Sequence, residues 1–262
     1  MRMVAAVFRV RLSAISTRLP SFNTIFQAMN PIGYLLKNGQ RIYTISNINR
    51  YGQQGDCKMN DKFFKLPLEK QQRIINAAYK VFSQNSYRKA PMSEIADEGG
   101  ISKALLFHYF GNKKELYMYL WSNAIEMTRK AVREYNTLET NDFFEMLKRS
   151  LLSKCALMRD YPYMYAFSLR AYYETIPEIQ EVIQENYSDV SNASKRIVFE
   201  KMDLSEFRDD MNLEMMYDEI FYAVDGYMLK KYRLDRVIPD EIEREFLDLI
   251  DLWKKIYTKK GV

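Results

Sequence analysis

One histidine, His108, and two cysteines, Cys57 and Cys155, are spread through a chain of 262 residues. With two cysteines and no C-x-x-C pair, a disulfide framework has no basis, and a reducing compartment fits. A lone histidine excludes His-rich metal centres and His–His acid–base pairs. Glycine (9) and proline (7) are scarce, which weighs against an all-β chain with its many turns and against low-complexity disorder. No apolar run reaches the roughly 18 residues of a membrane-spanning helix, so no membrane partner is expected. G-x-S-x-G, P-loop and G-x-G-x-x-G patterns are missing, and most carboxylates sit among lysines and arginines, as on solvated helix faces. The expectation is a protein that is not an enzyme, with no catalytic residue, metal or cofactor.

What is present is a charge gradient. Residues 1–58 carry 8 basic side chains against one acid, Asp56. Residues 59–118 carry 10 against 6, and residues 119–262 carry 21 against 27. A basic front and an acidic rear place any polyanion-binding surface toward the N-terminus. Residues 1–58 also lack a sustained helical period and are broken by Pro20, Pro31, Gly33, Gly39, Gly52 and Gly55. Three readings stay open for this basic extension: an over-extended reading frame with Met59 as the natural start, a basic arm that helps hold nucleic acid, or a targeting peptide built around Arg2, Arg9, Arg11 and Arg18.

From Leu68 onward the periodicity is helical. Helices are predicted over 69–85, from Pro91 to Gly99, over 103–110 with Ser102 as N-cap, over 113–135 with Asn112 as N-cap, from Asn141 or Asp142 to near Pro162, and over about 163–175, 178–202, 213–233 and 239–259. No strand is convincing. The fold expected is all-α with about nine helices, divided into residues 1–58, 59–118 and 119–262.

Ser93–Phe110, SEIADEGGISKALLFHYF, carries the chemistry. Two short helices joined by a tight turn need a small residue at the crossing, supplied by Ala96, and a residue free to take positive φ, supplied by Gly100. The second helix must bury an apolar residue against the first, a place suited to Leu106, while Ile101 seals the turn. These are the requirements of a helix-turn-helix that lays its second helix in the major groove. An ordinary αα-hairpin would share the Ala–x3–Gly spacing. The basic block, the amphipathic helix upstream and the Lys-rich helix start downstream favour the DNA-binding reading.

Arg73-Ile74-Ile75-x-Ala77-Ala78-x3-Phe82, then Ile95-Ala96-x3-Gly100-Ile101-Ser102-Lys103, then Leu106-Phe107-His108-Tyr109-Phe110-x2-Lys113-x-Glu115-Leu116 resembles the DNA-binding domain of TetR/AcrR-type bacterial transcriptional regulators. The resemblance covers about residues 70–118. It implies that Ser102–Phe110 is the recognition helix. Lys103, Ala104 and Leu105 then face base edges, Lys103 toward guanine O6/N7 and Ala104 or Leu105 toward a thymine methyl. Tyr109 and Lys113 match phosphate-holding positions, the latter at a helix start whose dipole favours an anion. Two positions depart from the family pattern. Phe107 stands where a tyrosine is usual and so lacks a hydroxyl, and Ala90–Pro91 replaces a frequent Thr or Ser. Lys89, Arg88 or the N-terminal arm is expected to compensate. His108 is expected to be structural or phosphate-adjacent.

Residues 119–262 hold 22 aromatics, six of them in 161–173: Tyr161, Tyr163, Tyr165, Phe167, Tyr172 and Tyr173. An aromatic core is one explanation. A ligand pocket is the other, because every buried phenol needs a hydroxyl partner and a dense tyrosine cluster suits a dry core poorly. The resemblance implies an inducer cavity, expected near Trp121, Met158, Tyr161, Tyr165, Tyr173 and Phe221. Glu174 or Glu126 would counter a cationic ligand if not simply exposed. The last two helices carry more apolar residues than one buried stripe requires. With the resemblance they are expected to form the homodimer interface through Met216, Val224, Met228, Phe246, Ile250 and Trp253. The function implied is a cytoplasmic, ligand-responsive regulator, a repressor released from a palindromic double-stranded operator by a small apolar or aromatic effector. The alternative is a helical small-molecule-binding or protein-interaction module without sequence-specific DNA binding.

Overall fold

The computed structural model describes residues 35–37, 40–42 and 61–259, leaving aside the side chains of 184–193. Most of the first 58 residues, Cys57 and the competing readings of the extension thus lie outside the described residues. The exception to the all-α expectation falls in that extension: β1 (Leu35–Lys37) pairs antiparallel with β2 (Gln40–Ile42), Leu35 opposite Ile42.

Ten α-helices follow: α1 (Asp61–Phe64), α2 (Leu68–Gln84), α3 (Met92–Glu98), α4 (Lys103–Phe110), α5 (Lys113–Glu134), α6 (Phe143–Asp160), α7 (Pro162–Tyr172), α8 (Pro177–Lys201), α9 (Leu213–Arg233) and α10 (Pro239–Tyr257). Nine of them match the periodicity of the sequence. The short α1 and a 3-10 turn at Leu204–Glu206 are below the length at which a period shows.

The helix ends follow from local chemistry. The Ser102 hydroxyl accepts the Leu105 N–H at 3.1 Å, and the Asn112 side chain accepts that of Glu115 at 3.0 Å. Asp142 accepts the N–H groups of Phe144 and Glu145 at 2.8 and 3.0 Å. Each cap satisfies donors that the first turn of a helix cannot.

Residue 118, where a domain border was expected, falls inside α5. This helix runs without a break from the recognition element into the rear of the molecule. An aromatic cluster joins the two parts. Tyr117 of α5 meets Phe82 of α2 edge-on at 4.9 Å and Phe167 of α7 at 4.8 Å. The Tyr79 hydroxyl donates to the Leu120 carbonyl at 2.8 Å and accepts from Asn123 at 3.0 Å. Farther back, α10 lies along α6, and α2 lies along α7.

Candidate nucleic-acid interface and effector region

The turn between α3 and α4 is built as the sequence requires. Ala96 and Leu106 are fully buried, and Gly100 has φ +65°. The Arg73 side chain donates to the Gly99 carbonyl at 3.0 Å, and a Cβ on Gly100 would stand 3.1 Å from its guanidinium. Positive φ and close approach coincide there, so glycine serves two needs at one position.

Helix α4 has two faces. Leu106, Tyr109 and Phe110 are buried, with the Tyr109 and Phe110 rings packed on Phe63 of α1 at 5.7 and 4.8 Å. Ser102, Lys103, Ala104 and His108 are exposed, and Leu105 and Phe107 are half-buried. Three of the exposed residues, Ser102, Lys103 and Ala104, sit at the helix N-terminus, and Arg88 and Lys89 on the α2–α3 loop are exposed as well.

Two expected phosphate ligands also make contacts within the chain. The Lys113 ammonium donates to the carbonyls of Arg88 and Ala90 at 3.1 and 2.5 Å and sits 5.4 Å from the centre of the Tyr87 ring. Burial lowers its pKa. It closes the loop that precedes α3. Tyr109 is 6% exposed, its ring committed to the core. At the departure from the family pattern, Pro91 occupies the N-cap of α3 without a side-chain cap.

The aromatic region of the rear half divides. Trp121, Met158, Tyr165 and Phe221 are buried and Tyr173 half-buried, whereas Tyr161 is 44% exposed at the start of α7 and cannot line an interior pocket. Phe221 borders a narrow apolar gap with Leu147, Leu151, Val224, Ile250 and Trp253, whose free volume of about 10 Å³ leaves room for no ligand as it stands. Tyr173 stacks on Tyr232 of α9 at 4.8 Å and 22°. Glu126 pairs with Arg129 and Arg133 at 3.5 and 3.1 Å on the surface. Glu174, by contrast, is 8% exposed and accepts the Tyr87 N–H at 2.9 Å. Arg170, a turn earlier, donates to the Ser83 carbonyl at 2.8 Å. The end of α7 therefore grips the loop leading into the helix-turn-helix. Sequence periodicity could not reveal this, since Glu174 follows a helix end and its acceptor role depends on tertiary contact.

The six residues expected to meet a second copy, Met216, Val224, Met228, Phe246, Ile250 and Trp253, are between 1% and 6% exposed. They pack inside the chain's own core and have no surface to offer a partner. The exposed apolar residues of these helices lie on another face: Met215 and Tyr222 on α9, Leu252 and Ile256 on α10. A count of apolar residues found the excess but could not tell which stripe points inward. Gly226 follows Tyr222 by one turn, is exposed, and has nothing within 4 Å of an added Cβ.

Residues 74–120 match the family model "Bacterial regulatory proteins, tetR family". Over 86 residues the chain is similar to the transcriptional activator FasR of Mycolicibacterium smegmatis, at 33% identity, covering 32% of this chain and 39% of that protein. Over 186 residues it is similar to the transcriptional repressor AcnR of Corynebacterium efficiens, at 22% identity, covering 71% of this chain and 92% of AcnR. In fold it is similar to the fatty acid degradation regulator FadR from Bacillus halodurans, with a TM-score of 0.58 at 18% identity, over 72% of this chain and 96% of that one. A TetR family regulator from Chloroflexus aurantiacus gives 0.55 at 20% identity over 77% and 99%. Among the described residues no helix is long and apolar enough to cross a membrane. A helix-turn-helix of this geometry thus lies inside the segment that matches the tetR family model, and the helical rear half shares the fold of the solved regulators it resembles.

Proposed function

We propose that this chain is a repressor that reads a palindromic operator as a homodimer and leaves it on binding a small apolar or aromatic effector. The observation that carries the reading is the two-faced α4. Its one side is held by Leu106, Tyr109 and Phe110, and its other presents Ser102, Lys103 and Ala104 to solvent at a helix N-terminus. Lys103 donates to base edges, Ala104 and Leu105 supply apolar contact, and Lys89 and Arg88 hold phosphate beside them. Residues up to about 118 serve DNA and those beyond serve effector and partner, with α5 common to both.

One recognition helix reads too few base pairs for a specific address, so two copies are needed. The surface for the second copy is the outer stripe of Met215, Tyr222, Leu252 and Ile256, where Gly226 lets backbones approach. Effector binding shifts the population toward conformers whose two α4 helices are wrongly spaced for successive major grooves. Binding of both ligands, rather than catalysis, is the whole activity, and it takes place in the cytoplasm.

An electrophoretic mobility shift with DNA from upstream of the gene tests this. Specific, salt-sensitive binding as a dimer is the expected result. A chain that stays monomeric and shows no preference over random DNA would instead be a helical interaction module.

A further inference from the structure

Asp225 has no place in the reading so far. It sits in the middle of α9, 3% exposed, and neither carboxylate oxygen has a hydrogen-bond partner. A buried carboxyl without a donor is costly to a fold, by several kcal/mol if ionised in a poorly solvated site. Burial pushes it up to about 9, with no charged neighbour contributing. The titratable group that feels it is the Tyr173 phenol of α7. Tyr173 stacks on Tyr232, seven residues beyond Asp225 on the same face of α9, and both rings are half-buried and reach the surface. An acceptor pair without donors thus shares a helix face with one ring of an aromatic pair that borders solvent. The adjacent residue, Glu174, holds the Tyr87 backbone.

We propose that Asp225 is the anchor of the effector site, and that the effector is an organic cation bearing N–H donors on an aromatic or apolar body. Two oxygens on one carboxylate match the paired N–H groups of an amidinium or guanidinium, or two N–H groups of a primary ammonium. The Tyr173 and Tyr232 rings offer faces to the cation and to its flat body. The proposal rests on the ligand-responsive reading above and narrows it. A neutral hydrocarbon ligand would leave the carboxyl unpaired, and an anionic one would be repelled once it ionised.

Benzamidine and phenethylammonium, each set against its neutral counterpart (benzamide and 2-phenylethanol), test the idea on the full-length protein by calorimetry and tyrosine/tryptophan fluorescence. Each cation is expected to bind at least tenfold more tightly than its counterpart. Titration at pH 7 in two buffers of different ionisation enthalpy is expected to show release of about one proton per cation bound. Asp225→Asn should erase the preference and the proton release. Tyr173→Ala keeps the carboxylate, so it should weaken cation binding yet retain proton release, and it serves as the second variant should Asp225→Asn fail to fold. Equal affinity for cation and counterpart, no binding by either cation, or an unchanged preference in Asp225→Asn overturns the proposal. A mobility shift on the same samples separates the two readings. DNA binding with no cation preference removes only the cation site, whereas loss of specific DNA binding in the unmodified protein removes the regulator.

Discussion

The Glu174 carboxylate accepts the backbone N–H of Tyr87 at 2.9 Å in a buried setting, joining groups 87 residues apart in sequence. One oxygen binds Tyr87, and the other accepts the N–H of Thr175 at 3.1 Å. Truncation to alanine strands a buried amide, a loss of about 1–3 kcal/mol. Glu174→Ala should therefore lower the melting temperature. Glu174→Gln, which keeps an acceptor, should be milder on stability while reducing the effector's influence on DNA affinity. Paired melting curves and mobility shifts with and without effector measure both. Equal coupling in Glu174→Gln and the unmodified protein would argue that this contact carries no signal.

Three lysines near the recognition helix should behave differently. Lys103→Ala is expected to cost about 1–3 kcal/mol of operator affinity and to relax discrimination at one base pair. Lys89→Ala should weaken all DNA alike and flatten the dependence of log K on log salt by about one unit. Lys113→Ala should mainly reduce thermal stability, because its ammonium is tied to the Arg88 and Ala90 carbonyls. Fluorescence anisotropy over a salt series, with melting curves, separates the three.

Two buried ionisable groups impose opposite pH dependences. Burial pulls Lys154, which donates to the Ser150 hydroxyl at 2.9 Å, down to about 7. From about pH 7 to pH 10 the unfolded chain holds a proton there that the folded chain lacks, so Lys154 adds stability as pH rises. Asp225, pushed up to about 9, is protonated in the folded chain and ionised in the unfolded one from about pH 4 to pH 9, so its contribution declines over that window. Lys154→Met is expected to gain stability over the unmodified protein at pH 7, an advantage that shrinks toward pH 10. Asp225→Asn should gain an advantage that widens from pH 4 to pH 9. Each slope is bounded by about 1.4 kcal/mol per pH unit. Denaturant titrations at each pH give the curves, and a flat difference for either variant contradicts its assignment.

The outer stripe of α9 and α10 yields a pair of contrasting variants. Gly226→Ala meets no neighbour within the chain and gains helix propensity, about 1 kcal/mol in the isolated protomer. In a dimer that uses this face, the same methyl should raise the dissociation constant. Tyr222→Glu with Leu252→Glu should produce monomers that remain folded. Trp253→Ala, inside the core, should instead destabilise the protomer by about 3–5 kcal/mol. Analytical ultracentrifugation beside thermal melts distinguishes interface from core.

Much of this architecture could be read from residue order. The caps at Ser102, Asn112 and Asp142, the positive φ of Gly100, and the burial of Ala96 and Leu106 all follow from local rules, and all are present. What periodicity could not supply was direction. On helices apolar on two sides, 3.6-residue spacing does not say which stripe faces the core, so sequence places Val224 and Trp253 outside and passes over the exposed Tyr222 and Leu252. Nor could it foresee partnerships between distant segments. Lys113 turned to backbone carbonyls, Glu174 to a backbone amide, and Tyr161 to solvent because of what the fold brought beside them.

Helix α5 starts three residues after the recognition helix ends and continues through 22 residues into the rear half. At about 1.5 Å per residue it is a rod of roughly 33 Å. Pivoting such a rod by about 5° at its rear end carries its front end some 3 Å, close to the roughly 3.4 Å rise of one base pair. In the function proposed above, a side-chain rearrangement too small to disturb packing at the back would thereby be magnified into a full step of misregister along the duplex.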